Sequence, residues 1–305
     1  MEKAKLAIVI LNWNGYEITK DCLDSLLKNE ALFAWDIFVL DNGSKENEAE
    51  RIRHQFRRVS RVRVLDSKVN LGFTDGNNRL LEEAAKYKQY DYYLLLNNDT
   101  EVSGNFIQQL MNAVGDRVGV FGPQVRYFEK QDMLQSIGGK INLWTGICRR
   151  LADKKFIKDI PEKSLEKEVD YIFGCAFIIA REVIEKIGKL RSDFFIYYEE
   201  VDYCVRAKKN GYVVRYLPVE AVYHKDSVST RKLSGFHIYM MFRNRISFLK
   251  EHASRLQRLV SFLYLSAYLP YFTLVYGLRE ATFLVQGTID GIIGKKGSPF
   301  AYRTF

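Results

Sequence analysis

The residues best suited to chemistry in this chain are carboxylates and amides set at the ends of apolar runs. Tyr92 to Leu96 leads straight into Asn97, Asn98, Asp99 and Thr100, so a run short enough for a buried strand stops in a cluster of oxygen-bearing side chains. In open α/β sheets ligands lie beyond the carboxyl ends of the strands, where these side chains would stand. Asp99 supplies a hard oxygen of the kind that Mg²⁺ and Mn²⁺ prefer, and such ions bridge protein carboxylates to substrate phosphates. An Asx-rich turn after a strand accounts for the same residues. A second acidic cluster, Glu199, Glu200 and Asp202, follows an aromatic run, with Val201, Cys204, Val205 and Lys208 at helical spacing and Gly211 as a C-terminal cap. The three acids therefore occupy a helix's first turn. Acids favour the helix dipole there in any protein, but here aromatic side chains would bury them. His224 follows a short apolar stretch and reads either as a packed structural residue or as a metal ligand.

Alternating elements would position these groups. Leu6 to Leu11, Asp36 to Leu40, Val62 to Leu65 and Tyr92 to Leu96 are short apolar runs. Helically spaced residues follow the first (Ile18, Cys22, Leu23, Leu26, Leu27) and precede the last (Leu80, Leu81, Ala84, Ala85). This alternation predicts parallel βαβ units and a doubly wound sheet. Asn12, Asp41, Asp66 and Asn97 to Asp99 then gather along one edge, the expected active site. No GxGxxG follows the first strand, which argues against a nicotinamide or flavin enzyme. Asn70 to Phe73, then Gly76, Asn77 and Asn78, instead offer backbone amides at a helix start that could hold phosphate. Residues 126–168 read as a surface excursion carrying acceptor-specific contacts. Tyr171 to Ala180 re-enters the core, its small residues Gly174, Cys175 and Ala176 leaving room for a ligand or for a close-packed neighbour.

Composition bounds the answer. A chain of 305 residues, 47% hydrophobic and 27% charged, is globular and holds one large domain, alone or with an appendage. Its net charge of +9 suits nucleic acid, an anionic membrane or phosphorylated substrates. The basic residues are dispersed and match no standard nucleic-acid motif, so a nucleic-acid partner is not expected. Cys22, Cys148, Cys175 and Cys204 fit no zinc or CxxC spacing and read as reduced packing residues of a cytosolic protein. The apolar run near the N-terminus is too short for a signal-peptide core, which points to a cytosolic start. Leu259 to Leu278 carries no charge over the length of a spanning helix, yet serines, a proline and tyrosines dilute it, and Arg255, Arg258, Arg279, Lys295 and Lys296 flank it. A helix pair lying in an anionic leaflet fits better than a true span, with a homo-oligomer contact as a third option.

Taken together, VILNWNG at Val9 to Gly15, LDNGS at Leu40 to Ser44, NLGFTDGNN at Asn70 to Asn78, LLLNNDT ending at Thr100, the stretch from Phe194 to Tyr212 and FRNR at Phe242 to Arg245 resemble family 2 glycosyltransferases, in particular their rhamnosyltransferase-like branch. The resemblance runs in unbroken order over residues 6–250. It implies a GT-A fold, a Rossmann-like, mostly parallel sheet flanked by helices, at 1–235; the apolar tail reads as a helical, amphipathic or membrane-associating appendage at 236–305. It also implies an inverting, metal-dependent transfer of a sugar from a nucleotide sugar, dTDP-rhamnose as first choice, to a hydroxyl of a glycan acceptor; with the tail on a membrane, the acceptor would be a lipid-linked glycan at its cytosolic face. On that resemblance Asp41 meets the base and the metal motif falls on Asn97-Asn98-Asp99. Asp99 and His224 then hold Mn²⁺ or Mg²⁺, while Asn12, Asn70, Gly72, Asn77 and Asn98 line the nucleotide-sugar site. Glu200, second acid of the Glu199-Glu200 pair, takes the general-base role with Asp202 as its rival. Arg243 and Arg245 would assist the departing diphosphate. A polyprenyl-phosphate sugar synthase and a nucleotide- or glycan-binding module without catalysis remain the alternatives.

Overall fold

A computed structural model describes residues 4–160, 167–219, 222–225 and 235–297. The first half alternates as its sequence requires. In chain order come β1 (Lys5–Asn12), α1 (Tyr16–Leu27), β2 (Ala34–Asn42), α2 (Glu48–Gln55), β3 (Val62–Ser67), α3 (Gly72–Tyr87) and β4 (Tyr92–Asn97). The apolar runs of β1 and β4 are buried on both faces, the pattern of central strands in a parallel sheet. β1 pairs in parallel with β2 and with β4, with Asn12 opposite Asp41 and Leu11 opposite Asn97. Register alone therefore brings the polar strand ends to one level. The helix α2 was not expected: its sequence EAERIRHQ buries only Glu48, Ala49 and Ile52, too few positions for an apolar period.

The second half contains β5 (Thr100–Val102), α4 (Phe106–Val114), β6 (Gly119–Gly122), β7 (Val125–Tyr127), β8 (Leu134–Ser136), β9 (Gly139–Asn142), β10 (Ile147–Arg150) and β11 (Lys167–Glu168). It continues with β12 (Ala176–Ala180), α5 (Arg181–Ile187), α6 (Glu199–Lys209), β13 (Val213–Tyr216) and β14 (Val222–His224). The main sheet has the order β11-β13-β6-β12-β4-β1-β2-β3. It is not wholly parallel, because β12 runs antiparallel to both β4 and β6. A smaller sheet, β5-β14-β7-β8, stands beside it. Residues 126–168 are thus more than a surface excursion: β8 is fully buried, with Gln135 at 0% exposure.

Three helices follow, α7 (Gly235–His252), α8 (Arg255–Tyr276) and α9 (Leu278–Ile293). Phe248 and Leu249 of α7 belong to the main core, so this helix joins the α/β body to the tail. On α9, a Cβ at Gly287 would lie 2.4 Å from the Tyr239 carbonyl and one at Gly291 2.7 Å from that of Arg243. The small-xxx-small spacing lets the two backbones approach closely. α8 is long and apolar enough to cross a membrane by length and composition, and little of it is buried in the protein.

Candidate active site

A chain of buried polar contacts ties the ends of β1, β2 and β4 together. Asn12 Nδ2 donates to Asp41 Oδ1 at 3.0 Å and to Glu48 Oε2 at 2.8 Å, while Asn12 Oδ1 accepts from Thr19 Oγ1 at 2.7 Å. Thr19 Oγ1 in turn accepts from Asn98 Nδ2 at 2.8 Å. Ser44 Oγ donates to Asp41 Oδ1, and Ala49 N donates to Asp41 Oδ2 at 3.3 Å. An ionised carboxylate has about four acceptor sites, so three contacts fix the plane of Asp41 and leave one direction open. Ser44, Glu48 and Thr19 were not anticipated. Ser44 lies inside a motif, but nothing in the polar run from Glu46 to Glu50 distinguishes Glu48. Asp66 stands opposite Asp41 in the β2–β3 register and so reaches the same edge, but it is exposed there on the outermost strand and pairs with Arg53 of α2.

The loop before α3 does not act as a phosphate cradle. Leu71 N bonds Asn42 Oδ1 and Gly72 N bonds Asn70 Oδ1, at 2.9 and 2.8 Å, while Phe73 N and Thr74 N both bond the Phe195 carbonyl. Those helix-start amides are consumed internally. Gly72 has φ +76°, and a Cβ there would lie 2.5 Å from the Phe195 ring, so glycine is required by both backbone and contact. Asn77 is turned back onto the Phe73 carbonyl at 2.8 Å. The loop that was expected to meet phosphate instead docks the aromatic run before α6.

Asp99 and His224 do meet. β14 pairs with β5 so that His224 faces Thr100, which sets its ring beside the preceding Asp99, with Nε2 3.1 Å from Oδ1. The other ring nitrogen, Nδ1, lies 2.8 Å from Oε1 of buried Gln135. If Nδ1 donates to that amide oxygen, Nε2 is left with its lone pair for a cation lying between it and the carboxylate, the arrangement of a metal-ligating histidine with an outer partner. A separation of 3.1 Å is also what two adjacent oxygen or nitrogen ligands subtend across a cation at about 2.1 Å. These two residues fit a hard divalent ion. Among the described residues no third His, Cys, Asp or Glu joins them. Remaining ligands would come from a diphosphate and water, the usual arrangement for Mg²⁺.

The acidic pair opens α6 after an unusual piece of backbone. Phe195, Tyr197 and Tyr198 have φ of +63°, +72° and +73°, the left-handed region that bulky residues avoid. Such residues cost on the order of 1–3 kcal/mol each and persist only where their surroundings hold them. Asn244 holds these: its Nδ2 reaches the carbonyls of Phe194, Ile196 and Tyr197 at 2.9, 2.8 and 2.8 Å. Arg243 adds bonds to the Asp193 and Phe194 carbonyls at 3.0 and 2.9 Å. Arg245 donates to the Thr145 carbonyl. Both arginines are buried and engaged by main-chain oxygens, so neither stands free to assist a leaving group as expected.

Within the pair, burial pushes Glu200 up to about 7, partly offset by the amides of Glu200 and Val201. Burial and the neighbouring Glu200 carboxyl lift Glu199 well above the usual range. Each has one buried side-chain oxygen without a hydrogen-bond partner among the described residues. Asp202 differs. Burial raises it, but His252 at 2.8 Å and Arg206 at 2.8 Å outweigh that and hold it below the ordinary carboxylate range. Arg191 lies a further 3.4 Å from Oδ1, so both oxygens of Asp202 are taken, which speaks against it as a base.

Residues 173–175 connect the two acidic sites. The Phe173 ring packs edge-on against His224 at 5.9 Å between centroids, and Cys175 O accepts from Asn97 N at 2.8 Å. A Cβ on Gly174 would lie 3.5 Å from the Glu200 carboxyl carbon. The segment that leads into the reversed strand β12 thus touches both the His224 ring and the Glu200 carboxyl.

Comparisons with known proteins agree with this architecture. The hexosyltransferase Agl10 of low-salt glycan biosynthesis in Haloferax volcanii is 27% identical over 243 residues, covering 79% of this chain and 74% of its own. The N-acetylglucosaminyl-diphospho-decaprenol L-rhamnosyltransferase of Mycobacterium tuberculosis is 24% identical over 235 residues, 72% of this chain and 75% of that protein. Among solved structures, GalNAc-T7 with UDP, GalNAc and Mn²⁺ aligns with a TM-score of 0.65 at 15% identity, over 95% of this chain and 56% of the other. S. aureus TarS with UDP-GlcNAc aligns with a TM-score of 0.61 at 14% identity, over 95% and 81%. At such identities the structural likeness establishes the GT-A fold. The model of glycosyl transferase family 2 matches residues 7–188, well over half of the chain, and the protein belongs to that family of glycosyltransferases.

Proposed function

We propose that the protein transfers a sugar with inversion from a nucleotide diphosphate sugar to a hydroxyl of a lipid-linked glycan. The observation that carries this reading is that the Phe173–Cys175 segment touches both the Asp99–His224 pair, through the Phe173 ring on His224, and Glu200, one of whose buried oxygens has no hydrogen-bond partner among the described residues. Asp41, fixed by Asn12, Ser44 and Ala49, uses its open lone pair to accept a ring N–H of a uracil or thymine base. Asp99 and His224 would hold Mn²⁺ or Mg²⁺, which when bound neutralises charge on the departing diphosphate. Glu200 accepts the acceptor's hydroxyl proton as the new C1–O bond forms and the bond from C1 to the diphosphate breaks. A carboxylate with a pKa raised toward neutrality suits this role, worth roughly 10²–10⁴-fold. The relatives acting in hexosyl and rhamnosyl transfer support dTDP-rhamnose as the first donor to try, and the decaprenol-linked substrate named for one of them supports a lipid diphosphate acceptor.

The test is a thermal-shift panel of UDP-, dTDP- and GDP-sugars with and without Mn²⁺, followed by product assay. One donor should stabilise the protein in a metal-dependent way. Asp99→Ala should lose the Mn²⁺ dependence, and Glu200→Gln should retain donor binding while losing transfer by about 10²-fold or more. Binding without release of nucleoside diphosphate from any donor and acceptor would leave a binding module instead. Full transfer by Glu200→Gln would remove the general-base assignment.

The same reading places the enzyme on the cytosolic face of an anionic membrane. α8 contains no acidic residue and exposes Leu256, Leu259, Leu263 and Leu274 along one stripe, with Val285, Ile289 and Ile293 exposed on α9 and Arg255 and Arg279 near the helix ends. Between α8 and α9 runs an open groove lined by Leu269, Leu278, Ala281 and Val285. An apolar surface with basic ends and few acids is what an interfacial helix pair presents to negatively charged lipid.

A further inference from the structure

We infer that Asn244 is a positioning residue for transfer: its amide, supported by Arg243, holds the strained aromatic run in the shape that aims Glu200. The inference rests on the general-base role proposed for Glu200 but concerns a different residue. Asn244 is fully buried and makes no contact through which it would touch a nucleotide or sugar. Its oxygen accepts from Arg243 Nε at 2.9 Å, so both ends of the amide are used and its orientation is fixed. The carbonyls it gathers belong to Phe194, Ile196 and Tyr197, the residues that alternate with or include the left-handed ones.

Converging carbonyls repel one another, and three bulky residues at positive φ do not hold that shape unaided. A buried amide pointing its N–H groups at the convergence supplies what the loop lacks. Glu199 and Glu200 come immediately after, the helix beginning at Glu199 with Tyr198 as its left-handed cap residue. The direction in which α6 starts, and with it the Glu200 carboxyl, follows from the left-handed turn at Tyr197 and Tyr198. The Phe195 carbonyl, turned outward by the same turn, is the acceptor for Phe73 N and Thr74 N, so one clamp sets both the acid pair and the start of α3.

A rescue experiment separates positioning from plain stability. Asn244→Ala should lower kcat by about 10²-fold, the cost of an ångström-scale misplacement, with donor KM changed far less. Adding Tyr197→Gly, which adopts positive φ without steric cost, should recover part of that kcat although it removes an aromatic side chain and cannot restore buried packing. Should Asn244→Ala fail to fold, Asn244→Ser, which keeps one donor, carries the same comparison with and without Tyr197→Gly. The inference is overturned if the folded Asn244 variant keeps full kcat, or if Tyr197→Gly lowers kcat in the variant as much as in the wild-type protein. Failure of the base assignment is read separately from Glu200→Gln, because the rescue pattern concerns the loop and holds whichever group it positions.

Discussion

The acids in the first turn of α6 share an address and have opposite electrostatic fates. Glu199 and Glu200 are desolvated without a cationic partner, so their folded-state pKa values lie above those of the unfolded chain. The folded protein therefore keeps protons that the unfolded chain releases, and the pair costs stability as pH rises from about 4 toward 7. Glu199→Gln should raise Tm at pH 8 and leave it nearly unchanged at pH 4, each ~1 kcal/mol relieved being worth about 2–4 °C. Melting curves at the two pH values check this; an equal gain at both would point to packing rather than desolvation. Asp202 has the reverse sign, since its lowered pKa stabilises the fold above the ordinary carboxylate range and that contribution is lost on acidification. The sequence marked all three acids, because an acidic first turn after an aromatic run is visible as a string. It could not separate them, because only Arg206 shares the helix with Asp202; its other partners stand elsewhere, Arg191 before the helix and His252 at the end of α7.

Among the elements, what was legible depended on whether a segment's role shows as periodicity. β1 to β4 were readable because each is a short apolar run closed by polar residues, and parallel register then aligns Asn12, Asp41 and Asn97. The direction of β12 was not, since the buried run AFIIA reads alike in a parallel and an antiparallel strand. β7 and β8 are three residues each, shorter than any detectable period, so Gln135 behind His224 gave no signal. The amides of Leu71 to Thr74 looked like a phosphate site because a helix start can bind anions; only their bonds to Asn42, Asn70 and the Phe195 carbonyl show otherwise. The packing of α9 on α7 carries its own prediction. In an open helix Gly287→Ala would stabilise by about 1 kcal/mol. Here the added methyl meets the Tyr239 carbonyl, and the expected result is a net loss of about 1–3 kcal/mol. Urea titration gives the sign directly, and a gain in stability would mean that the two helices are not closely seated.

At the scale of the whole molecule the C-terminal helices have two faces with different duties. One seats α7 and hence Arg243 and Asn244; the other exposes leucines and isoleucines to solvent. Truncation before α8 removes both, so membrane attachment is better tested on the outer face alone. Leu259→Glu with Leu274→Glu, at positions 55% and 86% exposed, should abolish flotation with phosphatidylglycerol vesicles while leaving binding to phosphatidylcholine vesicles low for both proteins. Unchanged flotation together with a smaller sedimentation coefficient would make the face a contact between copies of the chain. The reversed strand β12 has a consequence for synthesis. Until residues 176–180 leave the ribosome, β4 is the bare edge of a four-stranded parallel unit, with Tyr93 to Leu96 offering unpaired amides to any other chain. Closing that edge joins residues about eighty positions apart, a long-range pairing of the kind that forms slowly. The nascent protein is thus most exposed to misassembly between the completion of β4 and the arrival of β12, and co-translational chaperone occupancy should be highest over that interval.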